Sequence, residues 1–240
     1  MSTINAPPRT FDVQRGVQRY FADHGWLKTY YSFSFADYYD PSNVQWGALR
    51  VFNDDRIAGG TGFPPHPHRD MEILTYVFSG RLQHEDSMGN KGIVGPGGVQ
   101  FMSAGTGVRH SEFNGSSDEE LHLVQMWVLP GQLGAQPSYG QVDFDPGDRV
   151  NRWLTVASGE KSVEAPIALT QRATLRVSRL EDHELRHTFA PARFGFLFVA
   201  NGTVEVNDKK LTGGDALRTY AIERLTVQGS GEIVLWDLPE

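Results

Sequence analysis

Phe78-Ser79-Gly80-Arg81-Leu82 with Gly97-Gly98-Val99-Gln100-Phe101, and Ala200-Asn201-Gly202-Thr203-Val204 with Gly213-Gly214-Asp215-Ala216-Leu217, read as two copies of one pattern. Each is a strand ending on a glycine turn, a returning strand, and a glycine pair that leads into a third strand. The two spacings differ by the length of one loop. A supersecondary pattern that recurs within one chain points to a duplicated unit. The reading is a β-barrel made twice, with an N-terminal barrel over 1–135, a C-terminal barrel over 136–240, and the join in the Gly- and Pro-containing stretch 130–146.

The sequence around the repeat agrees with an all-β fold. Tyr31, Phe33 and Phe35 alternate with Ser32 and Ser34, a period of two that suits a strand. Short runs of strand character follow at 49–52, 73–78, 98–102, 121–129, 173–177, 194–199, 203–206, 225–227 and 232–238. Gly, Asn, Asp and Pro turns separate them, as in sandwiches and barrels. No long apolar stripe of period 3.6 is present, so little helix is expected.

Composition narrows the function. The chain has 240 residues, room for two barrels of roughly 100 residues each. It has no cysteine, which excludes disulfides and thiolate metal sites and leaves nitrogen and oxygen as the only metal donors. With 22 basic against 29 acidic residues the formal net charge is −7, which argues against affinity for nucleic acid or anionic membrane. The N-terminus lacks the apolar stretch of a signal peptide, and no run approaches the ~18 apolar residues of a membrane-spanning helix. A soluble, cytoplasmic protein is expected.

Two segments carry the chemistry. Gly62-Phe63-Pro64-Pro65-His66-Pro67-His68-Arg69-Asp70-Met71-Glu72 places His66 and His68 two apart, so on a strand they share a face while Pro67 points away. Gly105-Thr106-Gly107-Val108-Arg109-His110-Ser111-Glu112 repeats that relation with His110 and Glu112. If the two strands are neighbouring walls of one barrel, three imidazoles and a carboxylate converge on one point. Such a set suits Fe, Mn, Co, Ni, Cu or Zn and leaves a position open for water or substrate. A lone His-x-His is commonly a pair of surface histidines; the second pair, also behind a glycine turn, argues against that here.

Spacing alone does not choose between Glu112 and Glu72, which lies four residues beyond His68 in the His-x-His-x3-Glu arrangement of many cupins. His84 falls near the proposed site. His24 reads as a turn residue and His122 as a core histidine. His183 and His187 are four apart rather than two, and the second-half counterpart of the His110 segment, Leu225-Thr226-Val227-Gln228, has no histidine. The C-terminal barrel is therefore expected to be metal-free.

These motifs resemble the pirin family, two-barrel (bicupin) proteins of the cupin superfamily. The resemblance is carried by His24-Gly25-Trp26-Leu27, by 33–41, by Gly62 to Ile73, by His84-Glu85-Asp86-Ser87-Met88-Gly89-Asn90, and by Met102 to Glu112. It covers about residues 20 to 130, and the second half follows the family only in outline. The resemblance implies that one divalent transition metal ion, most often iron, is held at His66, His68, His110 and Glu112, with Glu72 outside its shell. It also implies quercetin 2,3-dioxygenase activity: a flavonol and O2 as substrates, carbon monoxide as a product, and Glu112 as both ligand and catalytic base. The alternative is a non-catalytic metal-binding regulatory protein with a protein partner. Phe63, Met71, Phe101 and Met102 are near enough in sequence to the ligands to line the cavity.

Overall fold

The computed structural model describes residues 9–240. The strands run in order β1 (Thr10–Gln14), β2 (Tyr20–Asp23), β3 (Leu27–Tyr31), β4 (Leu49–Ile57), β5 (Gly62–His68), β6 (Glu72–Ser79), β7 (Leu82–Asp86), β8 (Lys91–Val94), β9 (Val99–Ser103) and β10 (Val108–Asn114). They continue as β11 (Leu121–Val128), β12 (Ser138–Val142), β13 (Leu154–Ser158), β14 (Ile167–Ala168), β15 (Thr174–Thr188), β16 (Phe194–Val199), β17 (Thr203–Val206), β18 (Lys209–Thr212), β19 (Ala216–Tyr220) and β20 (Arg224–Leu238). Helix among the described residues is limited to the 3-10 turns Gly16–Gln18 and Pro146–Arg149. Among the described residues no helix is long and apolar enough to cross a membrane.

The N-terminal lobe folds a seven-stranded sheet, ordered β12-β9-β6-β11-β4-β3-β2, over a four-stranded sheet ordered β5-β10-β7-β8. The C-terminal lobe is one nine-stranded sheet around β16, β20 and β15. The sequence repeat is visible in both. Gly80 (φ 82°) and Gly202 (φ 80°) head the hairpins into β7 and β17. A β-carbon at Gly202 would collide with the Ser230 carbonyl, so that turn needs glycine on two counts.

Period-two alternation divides the large N-terminal sheet by face. Phe52, Leu74, Tyr76, Val99, Phe101, Val124 and Met126 point toward the C-terminal lobe, where they join Phe194, Phe196, Phe198, Val234 and Trp236 in one buried cluster. Thr75, Gln100 and Gln125 alternate with them and point the other way, into the N-terminal barrel, where all three reach Glu112. The C-terminal barrel is filled instead by a separate apolar cluster that includes Leu180, Leu197, Val206, Leu211, Val227 and Leu235.

Several expectations change. Sheet membership does not follow the expected join between 135 and 136: β12 pairs with β9 and extends the N-terminal sheet to Val142, while β1 pairs with β19 in the C-terminal sheet. The alternation at 31–35 is not one strand. β3 stops at Tyr31, and Ser34 gives its hydroxyl to the Asp40 carbonyl and accepts the Asp40 amide, closing a loop in place of a ladder. Conversely, 225–227 and 232–238 belong to the single strand β20, which bends at Gly229 (φ 132°) and Gly231 (φ 154°) while staying paired with β15.

Glu72 is also redirected. Asp70 takes a left-handed conformation (φ 47°) between β5 and β6, so the face shared by His66 and His68 does not continue to Glu72. Its buried carboxylate accepts the backbone amides of Thr170 at 2.7 Å and Gln171 at 3.1 Å, across the lobe boundary. Removing both acceptors leaves those amides without partners, at a cost of about 1–3 kcal/mol. Glu72→Ala should therefore lower the thermal midpoint by roughly 2–10 °C, measured by calorimetry at matched metal content, and Glu72→Gln should lower it less.

Candidate metal centre

β10 lies between β5 and β7 and presents Val108, His110, Glu112 and Asn114 to the barrel interior, all buried. His110 is in register with His66 on β5 and with Asp86 on β7; Glu112 faces His84. The register with β5 slips between His110 and Glu112, because two residues, Pro64 and Pro65, lie between the partners Phe63 and His66 where β10 has only Ser111. β5 is an edge strand, where proline is tolerated. The irregularity also sets a ring: His66 Nδ1 lies 2.8 Å from the Pro64 carbonyl, which can only accept. In that hydrogen bond the ring nitrogen is the donor, so the tautomer with its single proton on Nδ1 leaves Nε2 bare.

One nitrogen from each of His66, His68 and His110 comes within 4.8 Å of the others, so the three rings form a group able to hold a metal ion. His66 Nε2 and His110 Nε2 are 3.0 Å apart. Burial, with the neighbouring imidazoles adding to it, pushes His68 down to about 4 and His110 down to about 3. Both rings are then neutral near pH 7, the form that ligates. A contact this short holds either one shared proton or, where both nitrogens are bare, a cation between them, and this nitrogen donor set fits a borderline transition ion.

Glu112 stands beside this group, with Oε2 4.0 Å from His110 Nε2. Gln100 donates to Oε1 at 2.8 Å and Gln125 to Oε2 at 2.7 Å, and the Trp127 indole donates to Gln125 at 3.1 Å. The carboxylate is therefore fixed by two amides, one of which is itself fixed. His84, His110 and Glu112 form a second, overlapping group of possible ligand atoms. Asp86 closes the far side. Its carboxyl is held below the usual range against the opposing effect of burial, by hydrogen bonds from Asn90, His84 and Met88.

Aromatic rings wall the site. Trp127 meets the His68 ring edge-to-face at 4.8 Å, and Phe35 packs on Trp127 at 5.4 Å. Phe63 lies 6.2 Å from the His66 ring and is braced by Trp26. Met102 and Met71 pack with Trp127 in a small cluster, whereas Phe101 faces the other lobe and does not line the site. Sequence reading missed Gln100, Gln125, Trp127 and Asp86, although a Gln between apolar neighbours in each of two strands was a visible signal.

The remaining histidines lie apart from the cluster. His122 bonds Asp54 at 2.8 Å, His187 bonds Asp237 at 3.0 Å in the C-terminal lobe, and His24 and His183 are exposed.

Comparison with known proteins agrees with the motifs. Residues 12–128 match the Pirin family model, and residues 155–238 match that of the quercetinase C-terminal cupin domain. A pirin-like protein of Caulobacter vibrioides is 45% identical over 223 residues, 90% of this chain and 94% of that protein. A quercetin 2,3-dioxygenase of Escherichia coli is 41% identical, covering 95% of this chain and 98% of its own. The crystal structure of a bacterial pirin from Escherichia coli in complex with nickel(II) superposes with a TM-score of 0.89 at 40% identity, covering 96% of this chain and 99% of that one.

Asp55 supplies a pH test of this interior. Burial first, then the charges of Asp54 and Glu112, push its carboxyl up to about 7. Between the unfolded value of about 3.9 and that value, the folded protein keeps a proton that the unfolded chain has released, so stability is lost as pH rises through this window. Asp55→Asn removes the titration. In metal-free protein the thermal midpoint of the variant should gain on wild type between about pH 4 and pH 7 and level off above; a constant difference would mean that the folded carboxyl is already ionised.

Proposed function

The chain belongs to the pirin family, and from that premise we propose that it is a metal-dependent dioxygenase, cleaving the heterocycle of flavonols such as quercetin with O2 and releasing carbon monoxide. The observation that carries the reading is the convergence of His66, His68 and His110, with ring nitrogens within 4.8 Å of one another, beside Glu112 and flanked by aromatic rings. His66, His68, His110 and Glu112 would hold one divalent transition ion. Iron is the ion implied by the family resemblance, nickel(II) is the ion in the related bacterial pirin, and this nitrogen–oxygen donor set takes either. When bound, the ion supplies a Lewis-acid position for an oxygen donor.

The chain's own residues account for the rest. Glu112 Oε2 is the basic atom beside the ligand nitrogens and would take the proton of the flavonol 3-hydroxyl. Gln100 and Gln125 keep that oxygen from turning away. Trp127, beside His68, and Phe63, beside His66, offer ring surfaces on which a flat aromatic substrate stacks. The names of the related dioxygenases support the same substrate class.

His66→Ala, His68→Ala and His110→Ala should each lose bound metal on purification, while His183→Ala and His187→Ala keep it, as read by metal analysis. Glu112→Gln should weaken metal retention and abolish turnover, since an amide is no base.

The function itself is tested by reloading metal-free protein with one ion at a time. Quercetin loss, O2 uptake and carbon monoxide release should then follow metal content. A flavone without the 3-hydroxyl should not react. Equal cleavage of that flavone, or no turnover above free metal, would leave the non-catalytic regulatory reading in its place.

A further inference from the structure

His84 is buried at 1% exposure, contacts His110, and has no part in the proposed ligand set. Its ring is held by the stacked ring of Tyr139, with centroids 4.2 Å apart and planes 14° off parallel. Its two nitrogens have different partners. Nε2 is 3.2 Å from Asp86 Oδ2, and Nδ1 is 3.4 Å from Nδ1 of His110.

The Asp86 carboxylate is itself immobilised. Oδ1 accepts the amides of Met88 at 2.9 Å and Asn90 at 3.0 Å, and Oδ2 accepts the Asn90 side-chain amide at 2.9 Å. An anion used in this way can only accept, so the neutral tautomer of His84 that fits has its proton on Nε2. Its Nδ1 is then bare, and a contact between two Nδ1 atoms needs a proton from the other side. His110 must supply it from Nδ1, and its Nε2 is left bare. That is the atom 3.0 Å from His66 Nε2.

We propose that Asp86 and His84 form a positioning relay that fixes the tautomer and ring orientation of His110, so that its Nε2 lone pair is presented to the metal position. The relay extends the common arrangement of carboxylate, histidine and metal by one imidazole. Reversing His84 would put its proton on Nδ1 and force the His110 proton onto Nε2, where it would occupy the coordination direction. The charge that decides the outcome thus sits two rings from the metal position, on a turn held by its own backbone amides. The same geometry makes His84 a proton acceptor for His110 rather than a ligand, although His84, His110 and Glu112 atoms lie close enough to form a second metal group.

The inference rests on the proposed ligand role of His110, but its test does not need turnover. In metal-free wild type, nitrogen-15 imidazole shifts should show His110 protonated on Nδ1 and His84 on Nε2. His84→Phe keeps a ring against Tyr139 but removes the acceptor; His84→Gln loses the ring but keeps an acceptor oxygen. Nickel(II) affinity, measured by chelator competition, should fall on the order of 10–100-fold in the Phe variant and recover most of that loss in the Gln variant.

The Phe variant should also show His110 protonated in part on Nε2. A wild-type His110 carrying its proton on Nε2 would overturn the relay whether or not metal binds. So would equal affinity loss in the two variants, or the loss of a second nickel equivalent per chain, which would make His84 a ligand. If wild type binds no nickel, the ligand proposal fails, while the tautomer measurement still decides the relay.

Discussion

The large N-terminal sheet buries one apolar face against the other lobe, and the rest of the molecule follows from that choice. A barrel normally takes its core from its own interior. Here Phe52, Tyr76, Phe101, Val124 and Met126 face outward onto Phe194, Phe196, Phe198 and Trp236, so a large share of the apolar burial of the N-terminal lobe lies at the boundary, and its other apolar clusters, around Leu82 and Met102, are smaller. The interior is thereby free to carry Asp55, Thr75, Gln100, Glu112 and Gln125, groups that an ordinary core excludes. The C-terminal barrel makes the opposite choice and fills its interior with leucine, valine and isoleucine. One lobe has room for chemistry because the other is solid.

Polar links at the boundary follow the same division. Glu72 accepts two backbone amides of the C-terminal lobe, and Tyr76 donates to Glu232, which also accepts from Arg149 at 3.2 Å. Glu72 and Tyr76 are buried, and each has its partner across the boundary, so separating the lobes would strand both groups and their partners at once. The extension of each sheet by a strand from beyond the expected join, β1 in one direction and β12 in the other, adds backbone pairing to the same seam.

Much of this was legible in the sequence. Period-two spacing placed His66 with His68 and His110 with Glu112, and the glycine turns at Gly80 and Gly202 disclosed the duplication. What could not be read were features set by one backbone angle or one distant partner. Spacing put Glu72 on the histidine face, and the left-handed Asp70 removes it. Alternation carried a strand through Phe35, but Ser34 bonds its own loop instead. Asp86 is two residues from His84 in a segment already singled out, yet its use depends on a register between β7 and β10 that no local pattern states.

The seam between the lobes also governs the precision of the site. Glu112 is aimed by Gln125, and Gln125 sits on β11 between Val124 and Met126, both locked into the shared cluster. Met126 is further tied by the Trp236 indole, whose Nε1 lies 3.1 Å from its sulfur. On the same strand Trp127 both holds Gln125 and walls His68. Because alternate residues of one strand cannot move independently, a shift of β11 on its C-terminal support would displace the carboxylate, its amide and the aromatic wall together. The second barrel thus acts on the site without contributing a residue to it: it is the rigid surface against which the polar face of β11 is held in place.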